Sequence, residues 1–175
     1  MESLKGASHE HIRHHPGRPA RPEGYRAQQA FAAPPDAVFA ALTSAEAISR
    51  WWAPCTGTAD GTLRLLFGGS AIVIEVAAAE PARHVRWSVA VSDPLPEWVG
   101  THIDFDLRAT AEDGTALDFC HEGLTGRFEC FDMCTAGWGQ YLPSLADYVD
   151  SDGGTAFGSE SDERATHWEK SRSRG

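Results

Sequence analysis

His121 is the residue of this chain best placed for acid–base chemistry. The stretch around it alternates Leu117, Phe119 and His121 with Asp118, Cys120 and Glu122, which sets the imidazole on the apolar side of a strand. A general acid or base needs a second catalytic group within reach, and none with a recognisable spacing accompanies it. Cys130 and Cys134 follow one helical turn apart, so a Cys–His pair would suit thiol catalysis, yet no basic neighbour is visible to lower a thiol pKa. As zinc ligands the same three residues lack a C-x-x-C knuckle and a fourth partner. His102, Asp104 and Asp106 spell His-x-Asp-x-Asp, a pattern that solvated alternation along a strand explains. His9, His11, His14 and His15 could hold a transition metal loosely, but a tail offers no rigid second shell. Lys5 and Lys170 are the only lysines and both lie near the termini, which removes Schiff-base and pyridoxal chemistry from the centre of the chain. No metal, cofactor or catalytic assembly is expected, and His121 is kept as the one catalytic candidate.

The 175 residues are 42% hydrophobic and 23% charged, globular values for one domain, without an apolar run of membrane-spanning length. The formal charge of -10 repels nucleic-acid phosphates and anionic lipid surfaces, so neither partner is expected. Tyr25 to Asp150 holds 7 basic and 17 acidic residues, so the imbalance belongs to the folded part. Residues 1–24 are rich in His, Arg and Pro, and 151–175 in Ser, Gly and acidic residues; both read as disordered tails around one domain, 25–150. The first residues lack a basic region followed by an apolar stretch, so the expected address is cytoplasmic, with Cys55, Cys120, Cys130 and Cys134 as thiols.

The elements follow from periodicity. Tyr25 to Phe31 reads as a strand, Pro35 and Asp36 open a helix, and Ser44 caps a second short one, Ala45 to Trp52, that Pro54 stops. From Thr62 the period is two: Leu63, Leu65 and Phe67, a Gly68-Gly69 turn, then Ile72, Ile74 and Val76. A strand from Arg83 turns Val85, Trp87, Val89 and Val91 inward, and the longest, about Trp98 to Thr110, does so with Thr101, Ile103, Phe105 and Leu107. One wet and one apolar face on each strand mark an antiparallel sheet covered on one side. The cover is a helix from about Asp132 to Asp150, with Cys134, Trp138, Tyr141, Leu142 and Leu145 at helical spacing. Gly137, Gly139 and Pro143 together cost it about 5 kcal/mol of propensity, so packing must supply the difference, and Pro143 should kink it or loosen one turn. The glycines flanking Trp138 either admit a close approach to the sheet or leave room for a guest.

Specific residues add a resemblance. Phe31-Ala32-Ala33-Pro34-Pro35-Asp36-Ala37-Val38-Phe39, then Arg50-Trp51-Trp52-Ala53-Pro54, Gly114-Thr115, His121-Glu122-Gly123-Leu124, and Gly137-Trp138 through Ser144-Leu145 to Tyr148 are similar to the Hsp90 ATPase activator homologue family. Glu129 to Cys134 resembles one bacterial branch of it. The resemblance implies an α+β, START-like (SRPBCC) helix-grip fold: a curved antiparallel sheet wrapped around a long C-terminal helix, with two short helices after the first strand. It also implies a cavity between sheet and helix, used in related families for apolar or aromatic molecules. The expected lining is Gln29, Trp51, Trp52, Phe67, Trp87, Phe105, Phe119, His121, Cys134, Trp138 and Tyr141. Gln29 and His121 are its polar members, and backbone or Tyr141 is the expected partner for a satisfied His121. Three functions stay open: binding of a small hydrophobic molecule, modulation of a chaperone ATPase through a surface, and cyclase- or hydratase-like catalysis by His121. A chaperone or a second copy of the chain is the expected protein partner.

Overall fold

The computed structural model describes residues 21–159; the His-rich segment His9 to His15, most of the first tail and the end of the second lie outside them. Seven antiparallel strands, β1 (Gly24–Phe31), β2 (Cys55–Gly57), β3 (Thr62–Phe67), β4 (Ser70–Glu80), β5 (His84–Ser92), β6 (His102–Ala109) and β7 (Thr115–Glu122), form one sheet in the order β1-β7-β6-β5-β4-β3-β2. Helices α1 (Pro35–Thr43) and α2 (Ala45–Trp51) follow β1, and α3 (Phe131–Ser151) closes the chain's core. This is the helix-grip architecture. Pro35 starts α1 at a position where its missing N–H costs nothing, and the Ser44 hydroxyl accepts from Ala47 N at the head of α2. The end of α3 is tied to the corner before α1, where the Asp150 carboxylate accepts from Ala32 N and Ala33 N, both at 3.0 Å.

Three details depart from the sequence reading. The longest strand is β4, and β6 starts only at His102, because Pro96 opens a 3-10 turn that carries Trp98. The Thr101 hydroxyl donates to the Trp98 carbonyl and fixes that turn. Val91 does not point inward and is 44% exposed. The pairing of β5 with β4 passes from Val89–Ile74 to Val91–Val73, so Ala90 is an extra residue that reverses the alternation and brings Ser92 inside in its place. Pro143 lies inside α3, which runs through it as one helix, and sits on the exposed side opposite Leu142 and Leu145. Finally, the domain does not end at 150. Asp152 caps α3 in the left-handed region, Gly154 turns at φ +97°, and Ala156 and Phe157 are buried. This return strap is held by Thr155 N donating to Ser144 Oγ at 2.7 Å and Phe157 N to the Trp52 carbonyl at 2.7 Å.

Candidate functional site

Alternation on β5, β6 and β7 aims Trp87, Phe105, Phe119 and His121 at α3, whose face presents Cys134, Trp138 and Leu142. The register places Phe105 opposite Phe119 and Trp87 opposite Ile103, so the rings form a continuous bank. Its members pack on one another. Trp52 lies parallel to Trp87 at 5.4 Å and close to Trp138 at 5.2 Å; Phe105 meets Trp87 edge-on at 4.6 Å, and Phe119 meets Trp138 at 4.6 Å. Trp51 stacks on both Trp52 and Trp87 and donates its N–H to the Ala41 carbonyl. Of the eleven expected residues, Trp51, Trp52, Trp87, Phe105, Phe119, His121, Cys134 and Trp138 are buried together, and Phe67 and Tyr141 stand half-buried at the rim against Trp52. Gln29 stands apart, near the β1 edge opposite Leu117, with its amide donating to the Ala30 carbonyl.

His121 is held by protein on both ring nitrogens. An indole N–H can only donate, so Trp138 Nε1, 3.1 Å from Nδ1, requires Nδ1 to be the bare nitrogen and puts the proton on Nε2. Nε2 then donates to Thr101 Oγ1 at 2.9 Å, and Thr101 passes its own proton to the Trp98 carbonyl at 2.6 Å. Trp98 also stands edge-on to the imidazole at 4.6 Å. Burial drives the His121 pKa down to about 3, so the ring is neutral at ordinary pH. The partners are Trp138 and Thr101 rather than backbone or Tyr141. A base with its one lone pair committed to an indole has none free for a substrate in this arrangement.

The thiols fare similarly. Cys134 Sγ accepts from Trp98 Nε1 at 3.3 Å, and burial pushes its pKa well above the usual thiol range; burial also raises Cys130, and takes Cys55 up to about 11. Among the described residues no group of three or more His, Cys, Asp or Glu side chains is arranged to hold a metal ion. The glycines flanking Trp138 do not serve a close approach, since a Cβ on Gly139 would meet nothing within 4 Å and one on Gly137 only the Tyr141 ring at 3.9 Å.

Two residues of this region escaped the sequence reading as part of the site. The alternation places Trp98 at the head of a strand, and only the turn that Pro96 opens brings its indole onto His121, Trp138 and Cys134. Composition places Phe157 in a tail, yet its ring packs on Phe67 at 5.1 Å. A signal existed: Phe157 is the one aromatic residue between Tyr148 and Trp168, in a stretch otherwise of small and polar residues.

Comparison with known proteins follows the same outline. The model of a family described as Activator of Hsp90 ATPase homolog 1-like protein matches residues 32–150. No curated protein sequence matches. Among solved structures, the chain is similar to an Aha1 dimer from Colwellia psychrerythraea, with 25% identity, a TM-score of 0.66 and coverage of 75% of this chain and 99% of that one. DynU16, a putative protein in the dynemicin biosynthetic locus, is 26% identical with a TM-score of 0.55; the match covers 73% of this chain and about half, 47%, of that one. A protein of Mesorhizobium loti, 20% identical with a TM-score of 0.61 over 73% of this chain and 99% of its own, shares the fold.

Proposed function

The chain belongs to the Activator of Hsp90 ATPase homolog 1-like family, and on that premise we propose that it binds a small, uncharged apolar or aromatic molecule between the sheet and α3. One observation carries this reading. The bank between sheet and helix is faced by the rings of Trp52, Trp87, Phe105, Phe119 and Trp138, and no Asp, Glu, Lys or Arg side chain of the described residues is buried. A charged guest would enter without a counter-ion, at a desolvation cost that an apolar one escapes. The neutral state of His121 fits the same class. The reading takes the cytoplasm as the place of action, where four free thiols stay reduced.

The test is a titration with the uncharged dye N-phenyl-1-naphthylamine, following dye emission and tryptophan quenching. Saturable enhancement that weakens in Trp138→Ala supports the reading; a purified protein that binds neither this dye nor any member of a broad apolar library sinks it. A second reading, modulation of a chaperone ATPase through the surface, is favoured by the family and by the ionic lattice of Arg86, Asp104 and Glu122 on the outer face. An ATPase assay with the Hsp90-type chaperone of the same cell separates the two. Self-association, suggested by the dimeric Colwellia relative, is read directly by sedimentation.

A further inference from the structure

Among the described residues the buried polar groups are almost all paired within the chain. Thr101 and His121 share the relay described above, Thr115 donates to the Ala33 carbonyl at 2.8 Å, and Ser144 donates to the Trp51 carbonyl at 2.8 Å while accepting from Thr155 N. The indoles of Trp51, Trp98 and Trp138 each have an internal acceptor, respectively the Ala41 carbonyl, Cys134 Sγ and His121 Nδ1. Trp87 breaks the pattern. It is 0% exposed and its N–H has no partner. The other unpartnered group inside the sheet, Ser92 Oγ, lies five residues along β5, beyond Val89 and the bulge at Ala90.

An indole nitrogen is donor only and cannot satisfy itself by rotating, so Trp87 Nε1 calls for an acceptor brought from outside the chain. Its setting restricts that acceptor. Trp52 lies parallel to the ring and Phe105 meets it at a steep angle, so the rings packed against the indole are uncharged and aromatic. An anionic acceptor would have no buried cation to balance it, which leaves an uncharged oxygen. We propose that Trp87 Nε1 is the hydrogen-bond donor that orients the bound molecule, and that the molecule is an uncharged aromatic carbonyl compound rather than a hydrocarbon. This rests on the reading that the bank between sheet and α3 takes a small molecule. Selection follows from the same physics: a site with a buried donor rejects an analogue lacking the acceptor because the donor is then left unpaired.

The experiment compares 2-acetylnaphthalene with 2-isopropenylnaphthalene, equal in shape but differing in C=O against C=CH2, by displacement of N-phenyl-1-naphthylamine. After correction for partition between octanol and water, the ketone should bind roughly tenfold more tightly to the native protein, the worth of one buried hydrogen bond. In Trp87→Phe, which keeps an aromatic ring but removes the donor along with the five-membered ring of the indole, affinities for both compounds change and that ratio should fall to about one. Where Trp87→Phe fails to fold, the native indole N–H resonance of Trp87 decides: it should shift downfield and exchange more slowly with the ketone, and not with the olefin. Equal binding of both compounds, or a ratio that survives in Trp87→Phe, overturns the assignment of Trp87 and leaves the binding function standing. Failure of all three compounds to bind the native protein overturns the binding function itself.

Discussion

The two faces of β5, β6 and β7 carry the same residue types to opposite ends. On the inner face His121 is locked, uncharged, in a one-way relay from Trp138 to the Trp98 carbonyl. On the outer face His84 lies 2.7 Å from Asp106 and 3.5 Å from Asp104. Beside it Arg86 bridges Asp104 at 2.8 Å and Glu122 at 3.0 Å, and Arg108 meets Asp118 at 3.0 Å. Hydrogen bonding from Gln28, then Arg108, holds the Asp118 carboxyl below the usual range, whereas burial lifts that of Asp104 and Arg86 opposes this without reversing it. Cys120, on the outer strand positions, is nevertheless buried, because its sheet neighbours Arg26 and Asp104 cover it. The difference teaches that the inner face is specified by directional partners and shape, and the outer one by exchangeable charges. Errors should therefore be costly inside and tolerated outside.

The largest break of that contrast is Trp138→Ala. It should lose about 3–5 kcal/mol for the enclosed ring, and about 1–3 more for the His121 nitrogen left bare, measured by urea unfolding. Next comes acid. An unfolded His121 takes a proton near pH 6.5 while the folded one resists until about 3, so the unfolded state binds more protons across that window. Stability should fall by about 1.4 kcal/mol per pH unit as pH drops from 6.5 towards 3, and be unaffected by this group above 6.5. His121→Gln should flatten the native slope by that amount. If the two slopes coincide, the neutral relay is wrong.

Phe157→Ala tests whether the strap belongs to the inner face. A loss of about 2 kcal/mol is expected, below the 3–5 of a fully enclosed phenylalanine because this ring sits at the rim; no change would return residues 152–159 to the status of a tail. The smallest effect is outside. Arg86→Met should cost less than about 1 kcal/mol, shrinking further in 1 M salt, where partly exposed pairs are screened. A larger or salt-insensitive loss would mean that the outer lattice is as specific as the core.

Much of the sheet was legible because its strands alternate cleanly. Ile103, Phe105 and Leu107 on β6, and Leu117, Phe119 and His121 on β7, keep a strict period of two, and both strands hold their pairing without a shift. Reading failed where the backbone leaves that period for reasons no local pattern carries. The bulge at Ala90 depends on how β4 pairs across from β5, so Val91 looks inward in the sequence and is not. Within the candidate site, the ring types and their side of the sheet were readable from spacing. Their partners were not, because Trp98 reaches His121 across 23 residues and Phe157 reaches Phe67 across 90.

The sequence by itself determined an antiparallel sheet with one apolar face, the helix that covers it, and a lysine-free acidic domain, since these depend on residue type and period alone. The tertiary structure decided which polar groups inside are satisfied. Two nitrogens of one imidazole find an indole and a hydroxyl, three tryptophans find acceptors, and Trp87 finds none. A hydrogen bond is a matter of a few tenths of an ångström and a direction. Those are set only when segments distant in the chain have packed.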